Sequence, residues 1–385
     1  MKKIIVIGGG IGGLSAALML ESKGFYVKLF EAARHLQPVG AGLGVGSNAL
    51  KALYEAGIGA QIDKLGNPLK ILDFRDSSDR LLNEMDVEAL SKKEGVNSVA
   101  IHRAELHEQL YRAIRPGTIE LNKKCIAFRQ YEESAEVTFE DGSVAEGDYV
   151  IAADGIHSLF RQKLVPNSVP RYAGYTCWRG VVDETDIPYD KQTSTEIWGK
   201  EGRFGIVPLK NKRVYWFACV NAKRNDQKYR QFRVEDVARH FDSFSPRVSE
   251  LIRETDDGRL LHHDILDIKP LNQFVFGRII LLGDAAHATT PNMGQGAGQA
   301  IEDAIVLANC LSSHKNFQDA FKTYEKKRIK RTKKIITMSR RIGAGAQLEN
   351  KTVIWVRNKL FKFVPKSLLI KRFQFVHETD LRGTE

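Results

Sequence analysis

Three motifs that join glycine to an acid, each at the end of an apolar run, carry the residue types in this chain able to do chemistry. The first is G-x-G-x-x-G, with Gly8, Gly10 and Gly13 as its glycines and Gly12 beside the last. The first glycine allows a tight turn, the second lets a pyrophosphate approach the backbone, and the third lets helix and strand pack closely. The phosphates then sit on a helix N-terminus. Glu31 ends the next apolar run, about 20 residues further on, where a carboxylate accepts hydrogen bonds from a ribose diol. Together these features read as a dinucleotide cradle.

The second motif is Asp154-Gly155, with Arg161 following, and the third is Gly283-Asp284. Each places an aspartate at the carboxyl end of a buried strand, the edge of an open parallel sheet where ligands bind, so Asp154 and Asp284 are expected to converge on one cofactor. Pro291, Gly294, Gly296 and Gly298 come next, before a helix through Cys310 whose N-terminus suits an anionic, electron-rich ring. His157 and His287 sit inside the motifs and read as hydrogen-bonding scaffold rather than catalytic bases.

The elements that must position these residues follow from periodicity. Residues 38–46 are glycine-rich and read as a loop against a ligand. A helix is expected over 103–114, and strands over 136–139 and 148–152 with Asp141-Gly142 as the turn before the second. Between 171 and 270, alternating runs at 195–198, 203–208 and 213–220 predict an antiparallel sheet with one covered face. Trp178, Trp198, Trp216, Tyr172, Tyr175, Phe204, Tyr215 and Phe217 fall there, and they suggest an aromatic-lined pocket or a plain sheet core.

A chain of 385 residues, 43% hydrophobic, exceeds one ordinary domain. Its net charge of +11 is local: residues 322–372 hold 17 Lys/Arg against only Glu325 and Glu349. Residues 322–341 read as a long helix with a solvated basic face, and no nucleic-acid-binding module is present. In 355–373, apolar residues alternate with Lys/Arg around Pro365. The expected role is a helical pair packing its apolar stripe on the body, with contact to an anionic membrane surface as the alternative. Lys2-Lys3 imitates the start of a secretory signal, yet glycines break the apolar region, no cleavage site follows and no run reaches the ~18 apolar residues of a membrane span. A cytoplasmic protein, monomer or homodimer, is expected. Cys125, Cys177, Cys219 and Cys310 make no C-x-x-C and no zinc spacing, so neither a disulfide framework nor a metal is suggested.

On these residues the chain resembles, over nearly its whole length, the single-component FAD-dependent aromatic hydroxylases of the para-hydroxybenzoate hydroxylase type. The family's glycine motif falls on Gly8 to Gly13, its ribose acid on Glu31 and its flavin-contacting arginine on Arg103. Its D-G motif falls on Asp154-Gly155, its G-D motif on Gly283-Asp284, and its P-x-x-G-x-G continuation on Pro291, Gly294 and Gly296. The resemblance implies an α/β fold, with a discontinuous Rossmann-like FAD-binding domain of the glutathione-reductase type over 1–70, 97–170 and 271–345. It further implies an inserted, mainly antiparallel β-sheet substrate domain over 71–96 and 171–270, and C-terminal helices over 346–385. Also implied are FAD, NADH or NADPH as a transient co-substrate, O2, and hydroxylation of an aromatic or heteroaromatic small molecule through C4a-hydroperoxyflavin. Ala32 and Gly298 depart from the family, where many members have a basic residue and Asn.

Within the family the chain is similar to FAD-dependent urate hydroxylases, through Arg171-Tyr-Ala-Gly-Tyr, His263-Asp-Ile and the segment after Gly283, and salicylate hydroxylases share much of the same framework. The substrate-orienting Arg and Tyr of the urate enzymes fall on Arg203 and Tyr215, and Pro291 would border the flavin's reactive edge. An ordinary surface charge and a core ring are the alternatives for Arg203 and Tyr215. Reductases and dehydrogenases without oxygen insertion share the fold, and the Pro291 to Gly296 stretch favours the oxygenase.

Overall fold

The computed structural model describes residues 2–36 and 40–384. Pro38 and Val39, which open the glycine-rich stretch, lie outside the described residues.

A six-stranded sheet organises the motifs. Its strand order is Val275–Phe276, Ile279–Leu281, Tyr149–Ala152, Lys3–Ile7, Tyr26–Phe30 and Ile119–Glu120, parallel except for the first pair. Lys3–Ile7 lies in the interior of the sheet, with Ile7 opposite Ala152 on one side and Phe30 on the other. Its four apolar residues are all buried, as a parallel strand covered on both faces requires. On one face, the helices Ile11–Ser22 and Gly296–Ser313 pack so closely that a Cβ added at Gly12 would lie 3.1 Å from Leu282 and 3.2 Å from Ala300. On the other, a three-stranded sheet of Cys125–Gln130, Ala135–Phe139 and Val144–Gly147 brings Phe139 within 4.6 Å of the Phe30 ring. The Asp141-Gly142 turn joins Ala135–Phe139 to Val144–Gly147, a short strand that sequence reading did not separate from Tyr149–Ala152.

The second sheet has seven strands: Leu261–Asp267, Arg171–Val182, Val214–Asn221, Arg203–Pro208, Thr193–Trp198, Ile71–Asp76 and Leu81–Asp86. Only the Thr193–Trp198 and Ile71–Asp76 pair is parallel. Strand periodicity sorts its side chains. Trp178, Phe204 and Trp216 form a core with Val237, Phe241, Val248 and Leu251 from the helices behind the sheet. Cys177, Cys219 and Arg203 stand opposite one another on the front face, as do Arg179, Phe217 and Gly205, and Val181, Tyr215 and Val207. The expected aromatic pocket therefore divides. Tyr175, Tyr215 and Phe217 belong to the front, while Trp178, Phe204 and Trp216 are sheet core because their strand positions are one residue out of phase. Trp198 is also structural, packing against Phe74 and Phe361, and Tyr172 donates to the Ala222 carbonyl at 2.8 Å.

Facing that front is a small sheet of Gly42–Val45, Val99–His102 and Asn67–Pro68. Gly42–Val45 is thus a strand, where the sequence predicted a loop. Its glycines let backbone approach a neighbour: a Cβ at Gly42 would lie 2.6 Å from the Tyr215 side chain.

The helix Phe317–Ala346 runs from the first sheet to the second, and its basic face is only partly solvated: Arg328 is 1% exposed and Arg340 reaches Asp267 at 3.0 Å. The C-terminal helix Lys366–His377 docks by Leu369, Val376 and His377, which are buried. His377 Nδ1 lies 2.9 Å from Ser47 Oγ, and burial, reinforced by Arg331, pushes the imidazole down to about 4. The fold favours the neutral ring, so this contribution is complete above the ordinary histidine value of 6.5 and is lost as pH falls toward 4. Its full size is about 3 kcal/mol. Hydrogen exchange in Lys366–His377, corrected for intrinsic rates, should accelerate over that window in the native protein and stay level in His377→Gln. Equal acceleration in both would remove the imidazole as the cause.

Candidate active site

The three motifs meet at the carboxyl ends of the parallel strands. Gly8 has φ +104°, and a Cβ there would lie 2.5 Å from the Ala153 carbonyl oxygen, so the turn admits glycine alone. At Gly13 an added Cβ would collide with the Gly8 carbonyl oxygen. Gly10 differs: it caps the Ile11–Ser22 helix, and no protein atom lies within 4 Å of a Cβ placed on it. Packing does not demand glycine there. Gly9, Gly10 and Glu31 line a cleft of about 520 Å³ with Ala33, Arg34 and His107. Glu31 accepts from the Gly9 N–H at 2.5 Å and the Ala33 N–H at 2.7 Å, which fixes its carboxylate at the cleft edge.

Asp154 accepts from the Leu159 N–H at 2.8 Å, while its buried Oδ1 has no hydrogen-bond partner. Burial pushes its carboxyl up, against the Ser158 and backbone hydrogen bonds. Asp284 opens the short helix Asp284–His287. By surface area it is exposed, yet protein crowds it closely enough to push its carboxyl up, opposed by His287, Arg103 and Arg161. Arg161, fully buried, ties the two motifs together. Its guanidinium donates to the carbonyls of Ile156 at 2.5 Å, Ser168 at 3.0 Å and Ala285 at 3.2 Å, with Asp284 O at 3.5 Å. Arg103 lies against Gly40 and within electrostatic reach of Asp284 and Arg179.

The stretch after Asp284 forms the other wall. Pro291 is exposed and starts the Pro291–Met293 turn, Gly294 ends it, and Gly296 opens the Gly296–Ser313 helix. A Cβ at Gly294 or Gly296 would meet no protein atom within 4 Å, and the helix has no acidic residue in its first turn. Asn48 approaches Gly298 and donates to Gln295 Oε1 at 3.1 Å and Glu302 Oε2 at 3.0 Å, leaving its own buried Oδ1 without a partner. Beneath lies an ionic network that the sequence did not disclose. Asp303 accepts from the Gly283 N–H at 2.9 Å and from Arg328 Nε at 2.5 Å, and contacts His287 Nε2 at 2.5 Å. Arg328 also pairs with Glu302, which Arg331 reaches at 2.5 Å. Burial pushes Asp303 up, but His287 and Arg328 outweigh it and hold the carboxyl at about 2. His287, 3% exposed, is scaffold in this arrangement, whereas His157 is exposed and distant from any such role.

Arg203 joins the front of the second sheet to this wall. It is 2% exposed, donates to Glu196 at 3.1 Å and to Asn292 Oδ1, and stands over the Tyr175 and Phe217 rings. Asn292, missed in the sequence although it lies in the proline motif, also accepts from Tyr175 OH at 3.1 Å and donates to the Ser339 carbonyl at 2.8 Å. Tyr215 lies on the same face opposite Val207, four residues along the strand from Arg203, and against Gly42. Arg179 was missed as well; it stands between them in register with Phe217, and its alternation with Tyr175 and Cys177 was the available signal.

A parallel sheet with a glycine turn, two acid-bearing strand ends and a second sheet closing over them defines a flavoprotein of the aromatic-hydroxylase class. The FAD binding domain family matches residues 1–339, and the chain belongs to it. It is 36% identical to the aurachin C monooxygenase/isomerase of Stigmatella aurantiaca, over 94% of each chain. It is 32% identical to the FAD-dependent urate hydroxylase of Klebsiella oxytoca, over 88% of this chain and 89% of that one. The crystal structure of Klebsiella pneumoniae HpxO complexed with FAD and uric acid matches with a TM-score of 0.90 at 28% identity, over 98% of this chain and 97% of that one. The protein is an FAD-dependent monooxygenase. Its residues fit the cofactor: open space over Gly10, a carboxylate at Glu31 and an unpartnered Oδ1 on Asp154 are what a dinucleotide would engage. No helix among the described residues is long and apolar enough to cross a membrane.

Proposed function

We propose that this enzyme hydroxylates an anionic or enolisable heteroaromatic ring held between the front of the seven-stranded sheet and the Pro291 to Gly296 stretch. The observation that carries this reading is the placement of Arg203, Arg179, Phe217 and Tyr215 on one face of the sheet, with Arg103 within electrostatic reach of Arg179 and open space over Gly44 on the facing strand. Bound FAD, reduced by NADH or NADPH, supplies the activation of O2 and transfer of one oxygen atom. The chain's own residues bind, orient and shield. Gly10 and Glu31 receive the pyrophosphate and adenosine ribose, Asp284 the ribityl chain, and the N-terminus of Gly296–Ser313 the electron-rich end of the ring system. Arg203, paired with Glu196, orients the substrate, and Tyr215 sets its plane. The apolar front face excludes water, which limits wasteful peroxide release. The domain division expected from the sequence and a cytoplasmic site of action, where NAD(P)H is supplied, belong to the same reading.

The similarity to urate and aurachin enzymes puts urate and aurachin C first in a test panel. NAD(P)H oxidation should be stimulated by a member of that panel, and the product should carry one atom from 18O2. A charge-assisted contact contributes about 1.5 to 3 kcal/mol, so Arg203→Ala should weaken substrate binding roughly 10- to 150-fold with the flavin spectrum intact. Tyr215→Phe should lower product formed per NAD(P)H. Label arriving from water would replace the oxygenase with a dehydrogenase, whereas wild-type behaviour of both variants would remove only the placement of Arg203 and Tyr215.

A further inference from the structure

We propose that the outward face of the helix Lys351–Lys362, with the turn at Pro365, is a docking surface for an anionic lipid bilayer. The helix has two apolar sides. Ile354, Arg357, Asn358 and Phe361 face the body, where the Phe361 ring lies 5.3 Å from Phe74, Arg357 stacks 4.7 Å over Trp198, and Asn83 donates to the Phe361 and Val364 carbonyls at 2.7 and 2.9 Å. Val353, Val356, Leu360 and Phe363, spaced three or four residues apart, form a second stripe that the body leaves uncovered. Their exposures are 46%, 42%, 67% and 80%, with Trp355 at 59% and Leu368 at 53%. No residue of this helix is buried. A contiguous apolar stripe of this kind marks an interaction surface rather than scattered surface residues.

Charge selects the partner. Residues 351–372 carry seven Lys/Arg and no Asp/Glu. Lys351, Lys359, Lys362, Lys371 and Arg372 are exposed, and Lys359 lies 4.6 Å from the Trp355 ring. A second copy joined by a two-fold axis would set this cationic patch against itself. A layer of anionic headgroups over an apolar interior complements both features, with tryptophan and lysine at headgroup depth and Leu360 and Phe363 below. The expected packing of the C-terminal pair on the body thus holds for Lys366–His377 and for one side only of Lys351–Lys362.

The test uses the flavin-loaded full chain and vesicles of phosphatidylglycerol and phosphatidylcholine in equal parts, with pure phosphatidylcholine as control. Flotation should retain the protein on the anionic vesicles alone, falling at least tenfold as salt rises to about 0.5 M. Trp178, Trp198 and Trp216 are buried, so a blue shift of tryptophan emission on binding reports Trp355 and should vanish in Trp355→Phe. Leu360→Ser/Phe363→Ser should abolish retention while leaving flavin content, melting temperature and NAD(P)H oxidation unchanged. Absence of retention at low salt, equal retention on pure phosphatidylcholine, or retention unaffected by the double variant overturns the proposal. A concentration-dependent dimer lost in the double variant, without vesicle binding, overturns it in favour of a second copy.

Discussion

Gly10→Leu is expected to purify folded but nearly colourless, with at least a hundredfold weaker FAD retention, about 2.7 kcal/mol. No protein atom stands where the new side chain would begin, and Gly10 has ordinary φ of −72°, so the apo fold accepts it. The side chain instead occupies the approach to the helix N-terminus, where we propose that the pyrophosphate binds. Gly13→Ala is the contrasting variant. Its methyl would collide with the Gly8 carbonyl, a backbone group that no rotamer change can relieve, so melting temperature and flavin should fall together. Absorbance near 450 nm against 280 nm, with thermal melts, separates the two results. A yellow Gly10→Leu protein would mean that the phosphates lie elsewhere.

Arg328→Met should destabilise the protein by up to about 3 to 5 kcal/mol, since it removes the buried cation shared by Glu302 and Asp303 and leaves Glu302 to Arg331 and Asp303 to His287. Asp303 also holds the Gly283 N–H, so flavin affinity should drop with stability. The triple variant Arg328→Met/Glu302→Gln/Asp303→Asn should recover part of the loss, because the uncompensated charges are gone. The sign with pH is fixed by the low carboxyl value: Asp303 contributes fully above the ordinary 3.8 and loses its contribution as pH falls through about 2. Chemical denaturation of the three proteins at neutral pH decides the matter. A single-variant loss below about 1 kcal/mol would show that the network carries little net stability.

The cofactor end of the molecule was legible because each motif couples a glycine or an acid to an adjacent buried strand, and adjacency in sequence is adjacency in space there. Gly8, Glu31, Asp154 and Asp284 converge for that reason. The features that were hidden depend on pairing across the chain. Arg328 looks like any other cation on the long basic helix, and only its partners Glu302 and Asp303, on the preceding helix, make it a buried one. Gly42–Val45 carried the composition of a loop, since its strand character comes from the ladder with Val99–His102 rather than from its own side chains. The tryptophans of the second sheet were grouped by proximity in sequence, but a period of two sends alternate residues to opposite faces, and helices cover the face that holds Trp178 and Trp216. Arg203 and Tyr215 were singled out through resemblance alone, whereas the approach of Arg179 and Asn292 to them was visible only once strands and turn were in place.

With the substrate placed as proposed, the glycine strand opposite Tyr215 also tells a designer where its size can be adjusted. Gly42 admits no side chain, and a Cβ at Gly205 would run into the Phe217 ring, so those two parts of the wall are already at closest approach. Gly44 lies two residues along the same strand, hence on the same face as Gly42, and a Cβ there meets no atom within 4 Å. Alanine, serine or valine at position 44 would shrink the chamber in steps without disturbing its frame. A graded library at that one position sets an upper limit on ring size while the flavin end of the enzyme stays as it is.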